Sequence, residues 1–395
     1  MDNGNWEEKA YLIEVNHSKI KETNRKKIIK LLLEKNEITK LDISRSLDIS
    51  ITTVSTNITE LKKEGIVSDV RSLESTGGRK AMALKINENC RFALGIALTP
   101  RHVKLSLINL KKEIIEDIRI RHNKKDIESI IGIAKENIKE NINKILNNKE
   151  ISIDKLLGIG ISIPGTVDSE EGIIKHCYLL GAENYNLKES FEEFNTAIYI
   201  DNEANLSAYY EFLNKKDILS NLLYVSITDG LGLGIIIDGK IHRGSNNAAG
   251  EMGHIKITIG GKRCKCGSQG CLESYTSKNV LLEDFNEISN EKLDDIEEFI
   301  SLFQKGDKIT KEILERYFNI LGVGIANLTM ILDPSSIVLG GDINVLLKEN
   351  IGFLRSIVYK DNLFTNEENC KIDVTEFKES YLLGAAMVPL EEFLN

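Results

Sequence analysis

GSNNAAGEMGHIKITIGGKRCKCGSQGCLE, residues Gly244–Glu273, is the stretch on which the reading of this chain turns. Its histidine and three cysteines, His254, Cys264, Cys266 and Cys271, follow the spacing H-x9-C-x-C-x4-C. One imidazole and three thiolates make a full tetrahedral set for a structural zinc, leaving no position open to a substrate. The alternative is a group of buried thiols in a Gly-rich turn, because the C-x-C pair is tighter than the usual finger spacing. Cys90, Cys177 and Cys370 have no such neighbours and are expected in the core or at the surface. Six cysteines in 395 residues are too few for a disulfide scaffold.

Working outward, Glu251 and Glu273 join Asn202, Glu203 and His254 in a polar set whose members each follow a strand or sit in a Gly-rich turn. Carboxylates and amides suit the vicinal hydroxyls of a sugar, because one carboxylate can accept from two adjacent OH groups. Ordinary helix caps are the alternative. The run DGLGLG, Asp229–Gly234, either cradles a phosphate or only turns a hairpin. Around these lie an expected strand pair, RFALGIAL and VKLSLIN, and a helical stretch from Ile127 to Leu146. LLGIGISI then runs into Pro164-Gly165, and TAIYI into Asp201-Asn202-Glu203. LYVSI and LGIIIDGKI read as a hairpin turned at Asp238-Gly239, and SIVLGGD as a late strand behind a buried helix. The body is therefore α/β, with two successive lobes of similar make-up possible.

The front of the chain differs in charge and pattern. Residues 1–88 carry 16 Lys+Arg against 14 Asp+Glu, leaving 35 against 46 for the rest of a chain whose net charge is -9. An acidic body does not attract DNA, so any nucleic-acid contact belongs to the front. There, NRKKIIKLLL predicts a helix from Asn24 to Leu33, capped by Thr23 or Asn24. KLDISRSL, Lys40–Leu47, and ITTVSTNITELKKEG, with Val54, Ile58 and Leu61 in phase before Gly65, predict two more around a tight turn. Two strand-like runs then flank Gly77-Gly78-Arg79-Lys80 as a basic-tipped wing. Thr52, Thr53, Ser55, Thr56, Asn57 and Thr59 are expected to face away from the apolar stripe, where hydroxyls and amides can read base edges. Arg79 and Lys80 would sit on phosphate or in the minor groove. A small helical bundle with a solvated polar face is the alternative. With 42% hydrophobic and 28% charged residues, no long apolar run and an amino terminus unlike a signal peptide, a cytoplasmic protein of two or three domains is expected.

Taken together, these motifs resemble the ROK family (repressors, open reading frames and sugar kinases), and within it the winged-helix sugar repressors. The specific matches are GSNNAAGEMGH, CKCGSQGCLE, ISIPGTVD (Ile161–Asp168), DNEAN (Asp201–Asn205) and LDPSSIVLGGD (Leu332–Asp342). The resemblance implies a winged helix-turn-helix over residues 1–88 and a two-lobed actin-like, ribonuclease-H-like domain over 89–395. Lobe one would span about 89–200 plus the C-terminal helix 380–395, and lobe two about 201–379. It also implies sugar contacts at Asn202, Glu251, His254 and Glu273, Glu203 where the kinases have a catalytic aspartate, and His254 shared between zinc and sugar. The departures point away from kinase activity. Ala97 replaces a phosphate-loop aspartate, Thr99 and Pro100 replace paired glycines, Asp229 replaces a threonine facing nucleotide phosphates, and Leu179 replaces a sugar-contacting asparagine. The expectation is a sugar-responsive repressor, a homodimer on pseudo-palindromic double-stranded operator DNA with a monosaccharide effector. The competing expectations are an ATP-dependent sugar kinase with a DNA-binding appendage and a zinc-braced scaffold.

Overall fold

The computed structural model describes the backbone of residues 4–72, 82–142, 155–215, 220–360 and 362–395, with side chains in the first helix described from Lys19 onward. The front comprises α1 (Gly4–Glu34), β1 (Ile38–Thr39), α2 (Lys40–Leu47), α3 (Ile51–Lys63), β2 (Val67–Ser72) and β3 (Met82–Ile86). Thr39 caps α2 by accepting from the Asp42 N–H at 3.2 Å, and Asp48 ends it in a left-handed conformation, φ 53°. Ser50 caps α3 by accepting from the Thr53 N–H at 3.1 Å. The end of α2 at Asp48 and the cap of α3 at Ser50, two residues apart, make the tight turn of a helix-turn-helix. Ile28, Ile29 and Leu32 of α1 pack with Ile43, Val54, Ile58 and Leu61, and the antiparallel sheet β1-β3-β2 completes the winged fold. The wing tip with Arg79 and Lys80 lies outside the described residues.

α1 is far longer than expected. It begins at Gly4, so Thr23 and Asn24 cap nothing, and the Thr23 hydroxyl donates to the Lys19 carbonyl inside the helix at 2.8 Å. No glycine or proline interrupts residues 5–23, so local cap preference loses to continued propagation.

The body contains the same sheet twice. β4 (Phe92–Leu98), β5 (His102–Asn109) and β6 (Ile114–Arg121) form an antiparallel meander, onto which β7 (Leu156–Ile163) and β11 (Ile198–Asn202) add in parallel, in the order β11-β7-β4-β5-β6. β12 (Leu222–Ile227), β13 (Leu231–Ile237) and β14 (Lys240–Ile241) repeat the meander, with β15 (Ser336–Gly341) and β16 (Lys371–Val374) in parallel, in the order β14-β13-β12-β15-β16. This duplicated layout is the ribonuclease-H-like, actin-like architecture. A small sheet, β10-β9-β8, of Ala182–Asn186, Ile173–Cys177 and Thr166–Asp168, hangs beyond β7.

Several local readings change. Asp238 and Gly239, at φ 50° and 72°, do turn a hairpin, but it joins β13 to β14. β12 and β13 are joined by Thr228–Gly230 instead. The helix starting at Ile127 ends as α4 (Ile127–Asn137), widens into a π turn at Ile138–Ile142 and then leaves the described residues. β6 and β16 carry weak sequence signals, because one is a half-exposed edge of IIEDIRIR and the other has only four residues. Cys90, Cys177 and Cys370 are buried.

α5 (Glu203–Asn214) and the C-terminal α7 (Ser380–Leu394) pack against each other, and α7 lies across β4 and β7. The approach is close enough that a Cβ on Gly160 would stand 1.9 Å from the Ala385 carbonyl oxygen. The winged-helix core does not stop at residue 88: Ile28, Ile29 and Leu32 belong to one apolar cluster with Tyr210 of α5 and Ala386, Met387, Leu390 and Leu394 of α7. Lys112 pairs with Glu391 at 3.2 Å across the same region. No helix among the described residues is long and apolar enough to cross a membrane.

Candidate functional site

Two sites emerge, one on α3 and one where the sheets' C-terminal strand ends meet the 244–273 segment. On α3, Thr52, Thr56 and Thr59 are exposed and Thr53 and Ser55 half-buried. The hydroxyls of Thr56 and Thr59 donate back to the carbonyls of Thr52 and Ser55 at 3.1 and 2.8 Å, which leaves their lone pairs outward. Asn57 corrects the sequence reading. It is 2% exposed and its amide donates to the Thr53 carbonyl at 2.9 Å. With Val54, Ile58 and Leu61 it completes an i, i+3, i+4, i+7 stripe, so helical geometry turns it inward despite its polarity.

The second site is built from a knuckle and a turn. Gly250, at φ 91°, leads into the 3-10 turn Met252–His254, anchored by buried Met252. A 3-10 turn brings positions i and i+3 together, so Glu251 and His254 share a side, with Glu251 Oε2 3.8 Å from His254 Nε2. The other ring nitrogen, Nδ1, faces Cys264 Sγ at 3.7 Å. The thiol loop is closed by Cys264 N–H donating to the Ser268 carbonyl at 2.8 Å, and Cys266 and Cys271 sulfurs stand 3.7 Å apart. All four ligand atoms lie within 4.8 Å of one another. Sulfurs about 2.3 Å from a shared tetrahedral ion stand about 3.8 Å apart, so the cluster fits a metal ion with its donors already converged.

The remaining polar residues assemble around it. Asn202 accepts from the Ala204 N–H at 2.7 Å as the cap of α5 and donates to the Gly165 carbonyl at 2.9 Å, so part of its role is the structural one. Its strand end is held by Asp201, which is 5% exposed and receives Arg243 Nε at 3.0 Å. Thr166 donates to Glu251 at 3.2 Å, linking the Pro164–Thr166 turn to the knuckle. Glu203 accepts from Thr228 at 3.1 Å and Ser226 at 3.3 Å. Glu273 accepts from the Leu231 N–H at 3.1 Å. Burial pushes the Glu203 carboxyl up to about 7, against the pull of the Thr228 and Ser226 hydroxyls and with help from Asp342 and Asp229. Thr166, Ser226, Thr228, Lys278 and Asp342 are site residues that the sequence patterns do not mark. Thr166, Ser226 and Asp342 lie inside stretches quoted above, and Thr228 and Lys278 contribute through contacts that spacing does not encode.

The positions read as kinase departures are equally plain. Ala97 is buried inside β4 opposite Ser162, and Leu179 lies in the short 3-10 turn Tyr178–Leu180. Asp229 does not present a bare charge. Lys278 binds it at 2.9 Å and Asp342 at 2.6 Å. Gly340, near the end of β15, is required by packing, because a Cβ there would stand 1.9 Å from the Tyr224 hydroxyl.

A winged helix fused to a duplicated ribonuclease-H-like body, with polar groups gathered beside a Cys3His cluster, defines a DNA-binding regulator with a ligand-sensing body. A winged helix-turn-helix DNA-binding model matches residues 21–68, and the ROK family model matches 93–387. The chain belongs to the ROK family. It is 29% identical to the xylose repressor of Caldicellulosiruptor bescii over 96% of this chain and 98% of that protein. With the xylose repressor of Bacillus subtilis it shares 30% identity over 82% of this chain and 83% of the relative. A solved ROK family transcriptional regulator, a homolog of the E. coli MLC protein, matches with TM-score 0.79 at 23% identity, covering 95% of this chain and 96% of its own. A ROK family glucokinase from Streptomyces griseus, solved with glucose and AMPPNP, matches with TM-score 0.63 at 20% identity, covering 98% of its own chain and 75% of this one. These last two are likenesses of fold.

Proposed function

We propose that this chain is a sugar-responsive transcriptional repressor of carbohydrate metabolism, working in the cytoplasm as a homodimer on pseudo-palindromic operator DNA. The observation that carries the reading is the route of α5, which starts at Asn202 and Glu203 in the polar site and delivers Tyr210 into the core of the winged helix. A ligand at one end of a rigid helix can bias the DNA-reading domain at the other, provided it binds one arrangement better than the other. The effector is an unphosphorylated monosaccharide held by Asn202, Glu203, Glu251, His254 and Glu273, with xylose, named in two relatives, the first to test. Residues 1–88 read DNA through Thr52, Thr53, Ser55 and Thr56 and through Arg79 and Lys80. Residues 89–395 sense sugar between lobes of about 89–200 plus 380–395 and 201–379.

A structural zinc on His254, Cys264, Cys266 and Cys271 supplies rigidity rather than chemistry, since four protein donors leave no open position. His254 then orients Glu251 through its second nitrogen. The body lacks kinase activity, because Ala97 offers no carboxylate for a metal, Pro100 no backbone donor, and Asp229 and Lys278 engage each other. Phosphoryl transfer depends on such preorganised groups, and each missing donor costs about 10² to 10³ in rate. The test is operator binding by fluorescence anisotropy with and without xylose, beside coupled ADP release over a sugar panel at millimolar ATP. The reading expects an affinity change with sugar and background turnover. Robust turnover on any sugar would favour a kinase with a DNA-binding appendage.

A further inference from the structure

The parallel strands β12 and β15 end side by side, and ligand sites of open α/β sheets form beyond such ends. Here that place holds an internal ion bridge. α6 (Lys278–Ile288) begins with a lysine whose side chain is only 16% exposed. Its ammonium reaches Asp229, in the turn after β12, at 2.9 Å and Asp342, just past β15, at 2.6 Å. Its backbone N–H donates to the Thr228 carbonyl at 3.2 Å, and the neighbouring Asn279 amide reaches the Asp229 carbonyl at 3.5 Å. Asp342 in turn donates its N–H to the Ile227 carbonyl at 2.9 Å.

The turn so gripped, Thr228–Gly230, is where two of the polar site's carboxylates are held. Thr228 donates its hydroxyl to Glu203, and the N–H of Leu231, the next residue, donates to Glu273. A Cβ on Gly230 would stand 3.0 Å from a Glu273 oxygen, so the turn and that carboxylate have almost no slack between them. A buried ammonium is retained only when its charge is met, and the backbone bond to Thr228 would form with any residue at 278. The side chain's distinct contribution is the double carboxylate grip.

We infer that Lys278 is a positioning residue for the sugar site: clamped between Asp229 and Asp342, it holds the Thr228–Gly230 turn against Glu203 and Glu273. This rests on the proposed sugar site. Because one ammonium meets two carboxylates, the bridge also leaves the strand-end position with a net negative charge, which favours a neutral ligand over an anionic one. Sugar phosphates therefore bind no better than the parent sugars.

The experiment is calorimetry of the full-length protein with D-xylose, D-glucose and glucose 6-phosphate, for wild type, K278M, K278R and the triple variant D229N/K278M/D342N, in which all three groups are uncharged. The wild type is expected to bind a neutral sugar. K278M is expected to bind it about 10- to 100-fold more weakly, the range over which loss of a supporting partner weakens a site. K278R is expected to recover most of that loss. Metal content and operator affinity without sugar should match the wild type in every variant, which separates a mispositioned turn from a misfolded chain. If the triple variant bound sugar as the wild type does, Lys278 would serve only to offset its carboxylate neighbours and the positioning role would be wrong. Undiminished affinity in K278M would overturn the inference while leaving the sugar site intact, and tighter binding of the phosphate than of the sugars by the wild type would overturn its neutral-ligand part. A wild type that binds no monosaccharide would instead remove the sugar site on which the inference stands.

Discussion

At Glu203, burial and two neighbouring carboxylates act against the hydroxyl bonds of Thr228 and Ser226. Its carboxyl is raised from 4.5 to about 7 chiefly by burial, so folding favours the protonated form. The stability this contributes is fully present below about 4.5 and is lost as the pH rises through 7. E203Q, which resembles the protonated acid, escapes that loss. Between pH 5 and 8 its unfolding free energy should pull ahead of the wild type by up to about 3 kcal/mol in urea titrations. Parallel pH profiles for the two proteins would mean that the carboxyl ionises normally. Glu251 is exposed and, among the described residues, its carboxylate reaches Thr166 and His254, so E251A should abolish the effect of sugar on operator binding and leave sugar-free operator affinity nearly unchanged. Calorimetry showing full sugar affinity in E251A would remove it from the site. On α3 the outward Thr56 and the inward Asn57 should part company. T56A alters operator sequence preference, whereas N57A lowers thermal stability by about 1 kcal/mol through the lost bond to Thr53, with preference unchanged. Asn57 was legible in principle, because its phase with Val54 and Leu61 was visible. Amide chemistry suggests an outward side chain, and position on the helix decides otherwise.

Among elements, those with a strict period or a terminator were readable, and those defined by a partner were not. α2 and α3 carry Thr39 and Ser50 as caps and apolar residues in phase, and both lie where the sequence put them. The Cys3His spacing likewise predicted convergence, because a loop of four residues between Cys266 and Cys271 can hardly avoid it. The true β12–β13 turn and the edge strands β6 and β16 depend on what packs beside them, which local propensity does not carry. Lys278 shows the same at the site: nothing at its position signals the two carboxylates it meets, 49 and 64 residues away in the chain. The knuckle should fail as a unit. C266S is expected to retain well under one zinc per chain and, with His254 and Glu251 no longer braced, to lose the sugar response. Metal analysis paired with the anisotropy assay checks this, and stoichiometric zinc in C266S would contradict it. For the wing, R79A/K80A should weaken binding on every DNA sequence and reduce the salt dependence by up to about two phosphate contacts, measured between 50 and 200 mM salt.

At the scale of the whole molecule, the duplicated sheet was foreshadowed by two lobes of similar make-up, whereas the union of winged helix and body had no signature. Ile28 and Leu390 are separated by most of the chain, and only the folded structure shows that they share a core. A chain beginning at Asn89 should therefore do more than lose operator binding. It would uncover Ala386, Met387, Leu390 and Leu394, and self-association in analytical ultracentrifugation is the expected result. L390A, far from any DNA contact, should destabilise the protein by about 2–5 kcal/mol, with the winged helix melting together with the body rather than surviving it. Two separate calorimetric transitions in the wild type would show the shared core to be energetically slight. The same continuity bears on how such proteins can diversify. A DNA-reading module joined by a slack tether can be exchanged wholesale between sensors, but one whose hydrophobic interior is completed by the last helix of its sensor cannot. A chimera that keeps these 88 residues and borrows another body must also inherit side chains that fit Ile28, Ile29 and Leu32, so operator choice and sugar choice are bound to evolve in step.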